Sequence, residues 1–226
     1  DNMLLNIISR VSMFFPGVVI LFSMSGFLVS ASIERSKNKK EFFAKRVLRM
    51  YPELWVCTIV NLVVVCLLAY KLWDKSILIW LGTQVFGIAY TPSCLKDFAT
   101  GSVNGALWTI FTELQLYIVL GIVYNWIKEF DTKKWIGLLG FFAMCNVLAD
   151  FISNNSGGAV AKIIERFFLT YALWFFIGVF CYVKRECMVP LLKKMLIPLL
   201  ILYAICKLLP INIPGYYANI AIGILL

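Results

Sequence analysis

A chain of 226 residues that is 62% hydrophobic and 15% charged differs from ordinary soluble domains, in which roughly 25% of residues are charged. Its net charge of +9 could suggest a nucleic-acid partner, but the basic residues are concentrated in short segments between apolar stretches. The composition therefore predicts an integral membrane protein and argues against nucleic acid as a partner.

Apolar windows close to the roughly 20 residues needed to cross a bilayer recur along the whole chain. They lie at about 13–32, 53–70, 105–127, 135–152, 167–183 and 195–209, with another opening at 216. The first is not a signal peptide, because it lacks a basic n-region and a small-residue cleavage site. We expect an all-α, polytopic transmembrane helix bundle forming one domain, 1–226. Because the chain starts at Asp1 and ends at Leu226 inside an apolar run, we expect truncation at both ends.

Basic segments predict the orientation of these spans. Most of the 21 Lys and Arg residues lie at 34–49, 128–134 and 184–194. The positive-inside rule makes these segments cytoplasmic and the protein a multi-pass protein of the cell (inner or plasma) membrane. If the first two share a side, 53–70 and 105–127 are an outward and a return crossing, which leaves 76–90 no room to cross. We therefore predict that 76–90 is re-entrant and packed against protein.

Cysteine and histidine content limits the possible cofactors. The seven cysteines form no CxxC pair, and nearly all lie in or beside apolar windows, so we interpret them as small buried hydrophobes. The sequence contains no histidine, which excludes His-ligated metals and a His general base within it. No metal cofactor is predicted.

The stretch FFAKRVLRMYP at 42–52 predicts a short interfacial helix with a basic edge. One side would carry Phe43, Val47, Met50 and Tyr51, and another side Phe42, Arg46 and Arg49. Pro52 disfavours helical geometry at Tyr51 and can begin the next helix. The basic residues have three interpretations: a topology signal, attraction to anionic lipid, or a phosphate site in which Arg46 and Arg49 offer planar forks in one direction.

Glu113 is an ionisable residue inside the apolar stretch GALWTIFTELQLYIVLGIVY, and such residues usually face a cavity or a partner. Helical spacing places Thr109, Glu113 and Tyr117 on one stripe. An adjacent stripe contains Asn104, Trp108, Thr112 and Gln115. This half of the helix must face protein or water, and its polar groups either line a functional cavity or hydrogen-bond between helices.

Three segments resemble conserved elements of the acyltransferase-3 family of membrane O-acyltransferases. LFSMSGFL (21–28) resembles the family's FF-x-x-SGF element, and KRVLRMYP (45–52) resembles its RR-x-x-R-x-x-P element. VNGALWTIFTELQLYIV (103–119) resembles its N-G-x-LW-x-L-x-x-E-x-x-x-Y element. The order and spacing of the three segments in a multi-span chain strengthen the resemblance.

The resemblance implies transfer of an acyl group, commonly acetyl from acetyl-CoA, to hydroxyls of cell-surface carbohydrates. Lys45, Arg46 and Arg49 would then hold the CoA phosphates at the cytoplasmic mouth, and Glu113 would act in catalysis. The residues expected to bind or enclose the acceptor are Asn104, Trp108, Tyr117 and Ser25. A carbohydrate acceptor and membrane lipid are the expected partners, and no oligomeric state is predicted.

The sequence departs from the family pattern in one respect. Members carry an Arg and a His on a first transmembrane helix upstream of the SGF element, and that His is the expected general base; this chain has neither that helix nor a His. We therefore expect these 226 residues alone to be catalytically incomplete. In the complete protein, the His would take the proton of the acceptor hydroxyl, and Glu113 would orient the His or the sugar.

Two other function classes fit part of the pattern. A transporter or flippase of glycan precursors would equally use polar residues inside the membrane and a basic cytoplasmic mouth. A non-catalytic membrane protein of the same architecture would lack the His altogether. An Arg followed by a His on an apolar helix upstream of Asp1 in the gene would favour the enzyme.

Overall fold

A computed structural model of the chain describes residues 17–67, 75–85, 107–155, 164 and 167–208. Every regular element within these ranges is a helix, which confirms the all-α prediction. The helices are α1 (Gly17–Arg35), α2 (Lys39–Leu67), α3 (Lys75–Val85), α4 (Leu107–Ile127), α5 (Thr132–Asn155), α6 (Phe168–Val183) and α7 (Arg185–Leu208).

Four of the described helices are long and apolar enough to cross a membrane. Their spans are Gly17–Arg35, Lys39–Val64, Thr109–Ile127 and Thr132–Ser153, and α6 is a shorter apolar helix. Helix α3, Lys75–Val85, covers the first part of the predicted re-entrant segment 76–90. Residues 86–90 lie outside the described residues, so the re-entrant character of this segment stays a prediction.

The chain divides into two compact units. The first contains α1 up to Glu34, the part of α4 from Val119 onward, and α5 to α7. The second extends from Arg35 to Ile118 and contains α2, α3 and the beginning of α4. This division into units does not test whether the chain folds as a single domain. The single-domain prediction therefore stays a prediction.

Helix α6 is the core of the first unit, because eleven of its sixteen residues are buried. It crosses α1 closely: a Cβ added at Gly26 would collide with the carbonyl oxygen of Phe175, and one added at Gly178 with that of Ser23. The Ser23 hydroxyl donates a hydrogen bond of 3.2 Å to the carbonyl of Trp174 at the same crossing. Small residues thus allow two backbones to touch, the packing that membrane helices favour.

Helices α5 and α6 form an antiparallel pair in the same unit. The Trp135 and Phe180 rings lie 5.5 Å apart near one end of the pair, and the Asn146 amide donates a 2.8 Å hydrogen bond to the Thr170 carbonyl near the other. Asn146 is fully buried, so this bond satisfies a donor that would otherwise be costly to bury.

Helix α2 is continuous across Pro52, which contradicts the prediction of a short interfacial helix followed by a new one. Its start is capped: the Asn38 side chain accepts from the Glu41 amide at 2.8 Å, and the Glu41 carboxylate accepts from the Lys37 amide at 2.9 Å. Pro52 itself is exposed. A proline inside a helix costs about 3 kcal/mol relative to alanine. The helix nevertheless continues, and the side chains of Met50 before Pro52 and Leu54 after it are buried.

The buried side of α2 also differs from the prediction. The side chains at four-residue intervals, Phe42, Met50, Leu54 and Thr58, are buried, with Arg46 half-buried among them. Val47, predicted on the apolar side, is exposed. The prediction was wrong because tertiary contacts, which the pattern of 42–52 does not show, decide which row packs inward.

The basic segments are largely helical rather than loops. Most of 34–49 belongs to α2, and α7 begins at Arg185, one residue after α6 ends. The backbone carbonyl of Lys184 accepts from the amides of Cys187 and Met188 at 3.0 and 2.9 Å, which starts α7 directly at the end of α6. The apolar window predicted at 195–209 is therefore the second half of a longer helix.

Candidate functional site

The polar stripe of α4 forms a connected pair. The hydroxyl of Tyr117 donates a short hydrogen bond to Oε1 of Glu113, one turn earlier on the same helix. Tyr117 is buried and Glu113 half-buried. The structure thus joins the predicted catalytic residue to a predicted acceptor-binding residue, as their four-residue spacing implied.

Arg46 of α2 lies against this pair. The central carbon of its guanidinium is 5.7 Å from the centroid of the Tyr117 ring and 5.9 Å from that of the Phe42 ring. A cation within about 6 Å of an aromatic face is attracted to it. Arg46, Tyr117 and Glu113, all in the second unit, therefore form the central cluster of the candidate site.

Two nitrogens of Arg46, Nε and Nη1, are buried and have no hydrogen-bond partner within the part of the chain that the structure describes. Aromatic rings attract the positive charge but supply no strong acceptor for N–H groups lying in the plane of the guanidinium. Leaving a buried donor unsatisfied costs about 1–3 kcal/mol, and more when the group is charged. Within the described residues, Arg46 therefore lies beside Tyr117 with two buried donors free to bind a ligand.

The other two predicted CoA-binding cations occupy a different row of α2. Lys45 is half exposed and forms an ion pair of 2.8 Å with Glu41 one turn earlier. Arg49, one turn after Lys45, is also exposed. Arg46 and Arg49 are three positions apart, so their directions differ by about 60° around the helix, but Arg46 is half-buried whereas Arg49 is exposed. The structure therefore places Arg46 and Arg49 in different environments, although the sequence suggested a pair acting in one direction.

The remaining predicted site residues are placed less completely. Ser25 belongs to the first unit and is buried there, close to the crossing of α1 with α6. Asn104 lies outside the described residues, as does the side chain of Trp108. Their predicted roles toward the acceptor stay predictions. Among the described side chains, no group of three or more Cys, Asp or Glu residues is arranged to hold a metal ion.

Sequence reasoning missed a second polar cluster, which lies in the first unit. Oε1 of Glu34 accepts a 2.9 Å hydrogen bond from the Tyr124 hydroxyl, and Oε2 accepts one of 2.7 Å from the Tyr182 hydroxyl. Arg185 Nη1 lies 3.8 Å from Oε2, and its guanidinium lies over the Tyr182 ring at 4.7 Å. The sequence did contain one signal of this cluster: Glu34, Tyr124 and Tyr182 each lie close to the C-terminal end of an apolar stretch.

This Glu34 cluster connects the C-terminal ends of α1, α4 and α6. Each of these ends adjoins one of the three basic segments. The positive-inside rule required the three segments to share one side of the membrane. The meeting of the three helix ends at one carboxylate agrees with that requirement.

Comparison with known proteins gives a family and two relatives. Residues 1–226 match the model of the acyltransferase-3 family, described as an acyltransferase domain. The chain is 35% identical over 117 residues to Nodulation protein 10 of Rhizobium leguminosarum bv. viciae, covering 46% of this chain and 32% of that protein. It is 27% identical over 146 residues to the O-acetyl transferase of Shigella phage Sf6, covering 61% of this chain and 42% of that protein.

These alignments cover less than half the length of either curated relative. No solved structure matches the chain. The family match together with four apolar helices long enough to span a bilayer identifies a multi-pass membrane protein.

Proposed function

This chain belongs to the acyltransferase-3 family, and on that premise we propose that the protein transfers an acyl group, specifically acetyl, from acyl-CoA to a hydroxyl of a cell-surface carbohydrate or its precursor. The name of the phage relative, an O-acetyl transferase, supports acetyl as the group and oxygen as its acceptor. The carbohydrate acceptor and the CoA donor come from the resemblance of the three sequence motifs to the family elements.

The observation that carries the proposal is the cluster of Arg46, Tyr117 and Glu113 in a largely apolar protein. Polar and charged groups at membrane depth are costly and usually mark a functional site. Acyl transfer needs a group that orients the attacking hydroxyl and a group that stabilises negative charge on the carbonyl oxygen. A carboxylate and a guanidinium that both contact Tyr117, the guanidinium having two buried nitrogens without a partner among the described residues, can supply both functions.

Glu113 would orient the acceptor. A carboxylate has about four acceptor sites, so it can hold the Tyr117 hydroxyl and a sugar hydroxyl at the same time. In our proposal Glu113 either holds that hydroxyl directly or orients the histidine that takes its proton. The residues described here supply no histidine, so the proton acceptor of the second version would lie outside residues 1–226.

The cationic residues of α2 would bind the donor. Lys45, Arg46 and Arg49 lie within two turns of one helix, in a segment that the charge distribution assigns to the cytoplasmic side, where acyl-CoA is found. Holding the donor at several points increases the effective concentration of its thioester next to the acceptor. The donor would therefore enter from the cytoplasm.

The test is transfer of labelled acetyl from acetyl-CoA by membranes carrying the complete gene product, with a surface polysaccharide or its lipid-linked precursor as acceptor. We expect label in alkali-labile esters on sugar residues. Membranes carrying the Glu113→Gln variant at equal protein level are the matched control and should lose most of the signal. Label confined to protein or lipid, or equal labelling by the variant, would contradict the proposed function.

A further inference from the structure

The two arginines of KRVLRMYP differ in their surroundings in a way that separates their roles. Arg49 is exposed, in the row of Glu41 and Lys45, whereas Arg46 lies in the row of buried side chains and turns toward Tyr117. A CoA molecule also has two chemically different ends, a multiply charged nucleotide and a neutral thioester. Which end each arginine binds can be inferred from its surroundings.

The environment of Arg46 is unsuited to a phosphate. Its Nε and Nη1 are buried, and its guanidinium lies near the Phe42 and Tyr117 rings. A phosphate group carries one to two negative charges, and moving it out of water into apolar surroundings is unfavourable unless several cations surround it. Exposed Arg49 and Lys45 can contact phosphates that keep most of their water.

We propose that Arg46 is a catalytic residue whose Nε and Nη1 bind the thioester carbonyl oxygen of the acyl donor, while Arg49 and Lys45 contact the CoA phosphates. This inference rests on the proposed acyltransferase function. It assigns the unused donors of Arg46 to the oxygen on which negative charge develops, beside the Glu113 and Tyr117 pair that orients the acceptor.

Acyl transfer in this site would proceed through a tetrahedral intermediate. The acceptor hydroxyl oxygen attacks the thioester carbon and forms a C–O bond, and the carbonyl oxygen becomes an oxyanion hydrogen-bonded to Arg46. Collapse of this intermediate breaks the C–S bond and restores the carbonyl. The hydroxyl proton ends on the sulfur of CoA, so the products are the sugar ester and the free thiol.

The experiment compares Arg46→Ala with Arg49→Ala in the complete protein, because both remove the same side chain from the same helix. The readouts are kcat and KM with acetyl-CoA, and inhibition by the nucleotide fragment of CoA, an adenosine bisphosphate that has phosphates but no thioester. We expect Arg46→Ala to lower kcat about 100-fold or more, as for the loss of one oxyanion donor, and to leave the inhibition unchanged. We expect Arg49→Ala to raise the KM for acetyl-CoA and to weaken the inhibition about tenfold, as for the loss of one charge-assisted phosphate contact, and to lower kcat far less than Arg46→Ala does.

Arg46→Lys is the second variant, in case alanine destabilises the protein. Lysine keeps the positive charge and the apolar stem but not the planar fork, so kcat should still fall at least about tenfold. Thermal midpoints in detergent identify any variant whose loss reflects misfolding.

The possible failures are distinguishable. Nucleotide inhibition that is weakened in Arg46→Ala as strongly as in Arg49→Ala would overturn the assignment to the thioester and leave the acyltransferase function standing. Normal kcat in both Arg46 variants would also overturn the assignment. Wild-type membranes that transfer no acetyl to any carbohydrate would instead overturn the proposed function itself.

Discussion

The two units each contain a cluster of glutamate, tyrosine and arginine, but the clusters are completed differently. In the first unit, the Glu34 carboxylate accepts from two tyrosine hydroxyls, and Arg185 lies beside it. In the second unit, Glu113 accepts from Tyr117, whereas two buried nitrogens of Arg46 have no partner among the described residues. We call the Glu34 cluster closed, because both oxygens of its carboxylate accept hydrogen bonds within the cluster. We call the Arg46 cluster incomplete, because two of its donors have no acceptor among the described residues.

This difference shows which cluster is suited to a ligand. A polar network whose groups satisfy one another fixes helices in place and gains nothing from an added molecule. A buried donor without an acceptor is destabilising, and a bound ligand can supply what is missing. We therefore interpret the Glu34 cluster as structural and the Arg46 cluster as functional, and the following changes test that distinction.

The largest expected effect is on the helix crossing that supports the first unit. Gly178→Val would drive a side chain into the backbone carbonyl of Ser23, which cannot move without separating α1 from α6. Overpacking typically lowers the free energy of unfolding by about 1–3 kcal/mol. We expect the loss here to be at least about 3 kcal/mol, because the side chain would collide with backbone. We expect little folded protein in membranes, measured as the monodisperse fraction after detergent extraction.

Gly137→Val on α5 is the matched control for this change. A Cβ at Gly137 meets nothing within 4 Å, so the same substitution should leave the folded fraction close to that of the wild type. Equal loss in the two variants would mean that valine is harmful in these helices generally and that the close crossing is not the cause.

The second expected effect is on activity, and it compares the glutamate of the Arg46 cluster with the glutamate of the Glu34 cluster. Glu113→Gln should lower acetyl transfer about 100-fold, within the range for loss of a residue that assists proton transfer, and shift the thermal midpoint little. Glu34→Gln changes the corresponding residue of the closed cluster and should leave activity within a few-fold. Acetyl transfer that depends on Glu34 as strongly as on Glu113 would contradict the division into a structural and a functional cluster.

The third effect concerns the stability of the closed cluster. Glu34→Gln weakens two charge-assisted hydrogen bonds and the attraction to Arg185, and because this end of the unit is partly exposed we expect a loss of about 1 kcal/mol. The thermal midpoint in detergent should fall by a few degrees. Tyr124→Phe combined with Glu34→Gln should lower it by less than the sum of the single changes, since the two residues share one bond.

The smallest effect is expected on the exposed row of α2. Lys45→Ala removes an exposed ion pair with Glu41, which contributes about 0.2–0.5 kcal/mol, so stability should hardly change. The apparent KM for acetyl-CoA should rise by no more than about fivefold, and high salt should reduce the difference from the wild type. A fall in kcat as large as that of Arg46→Ala would show that the two rows of α2 do not have separate roles.

Much of the fold could be predicted, because its signals are local. Apolar length, the positions of Lys and Arg, and the four-residue spacing of Glu113 and Tyr117 all act within one helix or one segment. The prediction at Pro52 was wrong because the contribution of tertiary packing on both sides of it was invisible in the sequence. The sequence also grouped Arg46 with Arg49 as one basic pair, although they lie in different rows of α2.

The Glu34 cluster could not have been predicted from spacing, because its members lie 90 and 148 positions apart in the chain. The same holds for the contact of Arg46 with Tyr117, which joins helices separated by most of the second unit. Both the cluster and the contact depend on which helices pack together in the fold, and spacing along the chain does not show this.

By itself, the sequence determined that this protein is helical and multi-pass, which residues are ionisable at membrane depth, and which family its motifs resemble. These properties depend on transfer of side chains and backbone from water to lipid, which acts residue by residue. Only the tertiary structure decided which glutamate is held in a closed network and which arginine has buried donors without a partner among the described residues. That outcome depends on acceptors supplied by distant parts of the chain, and hydrogen bonds form only where the fold brings the groups within reach.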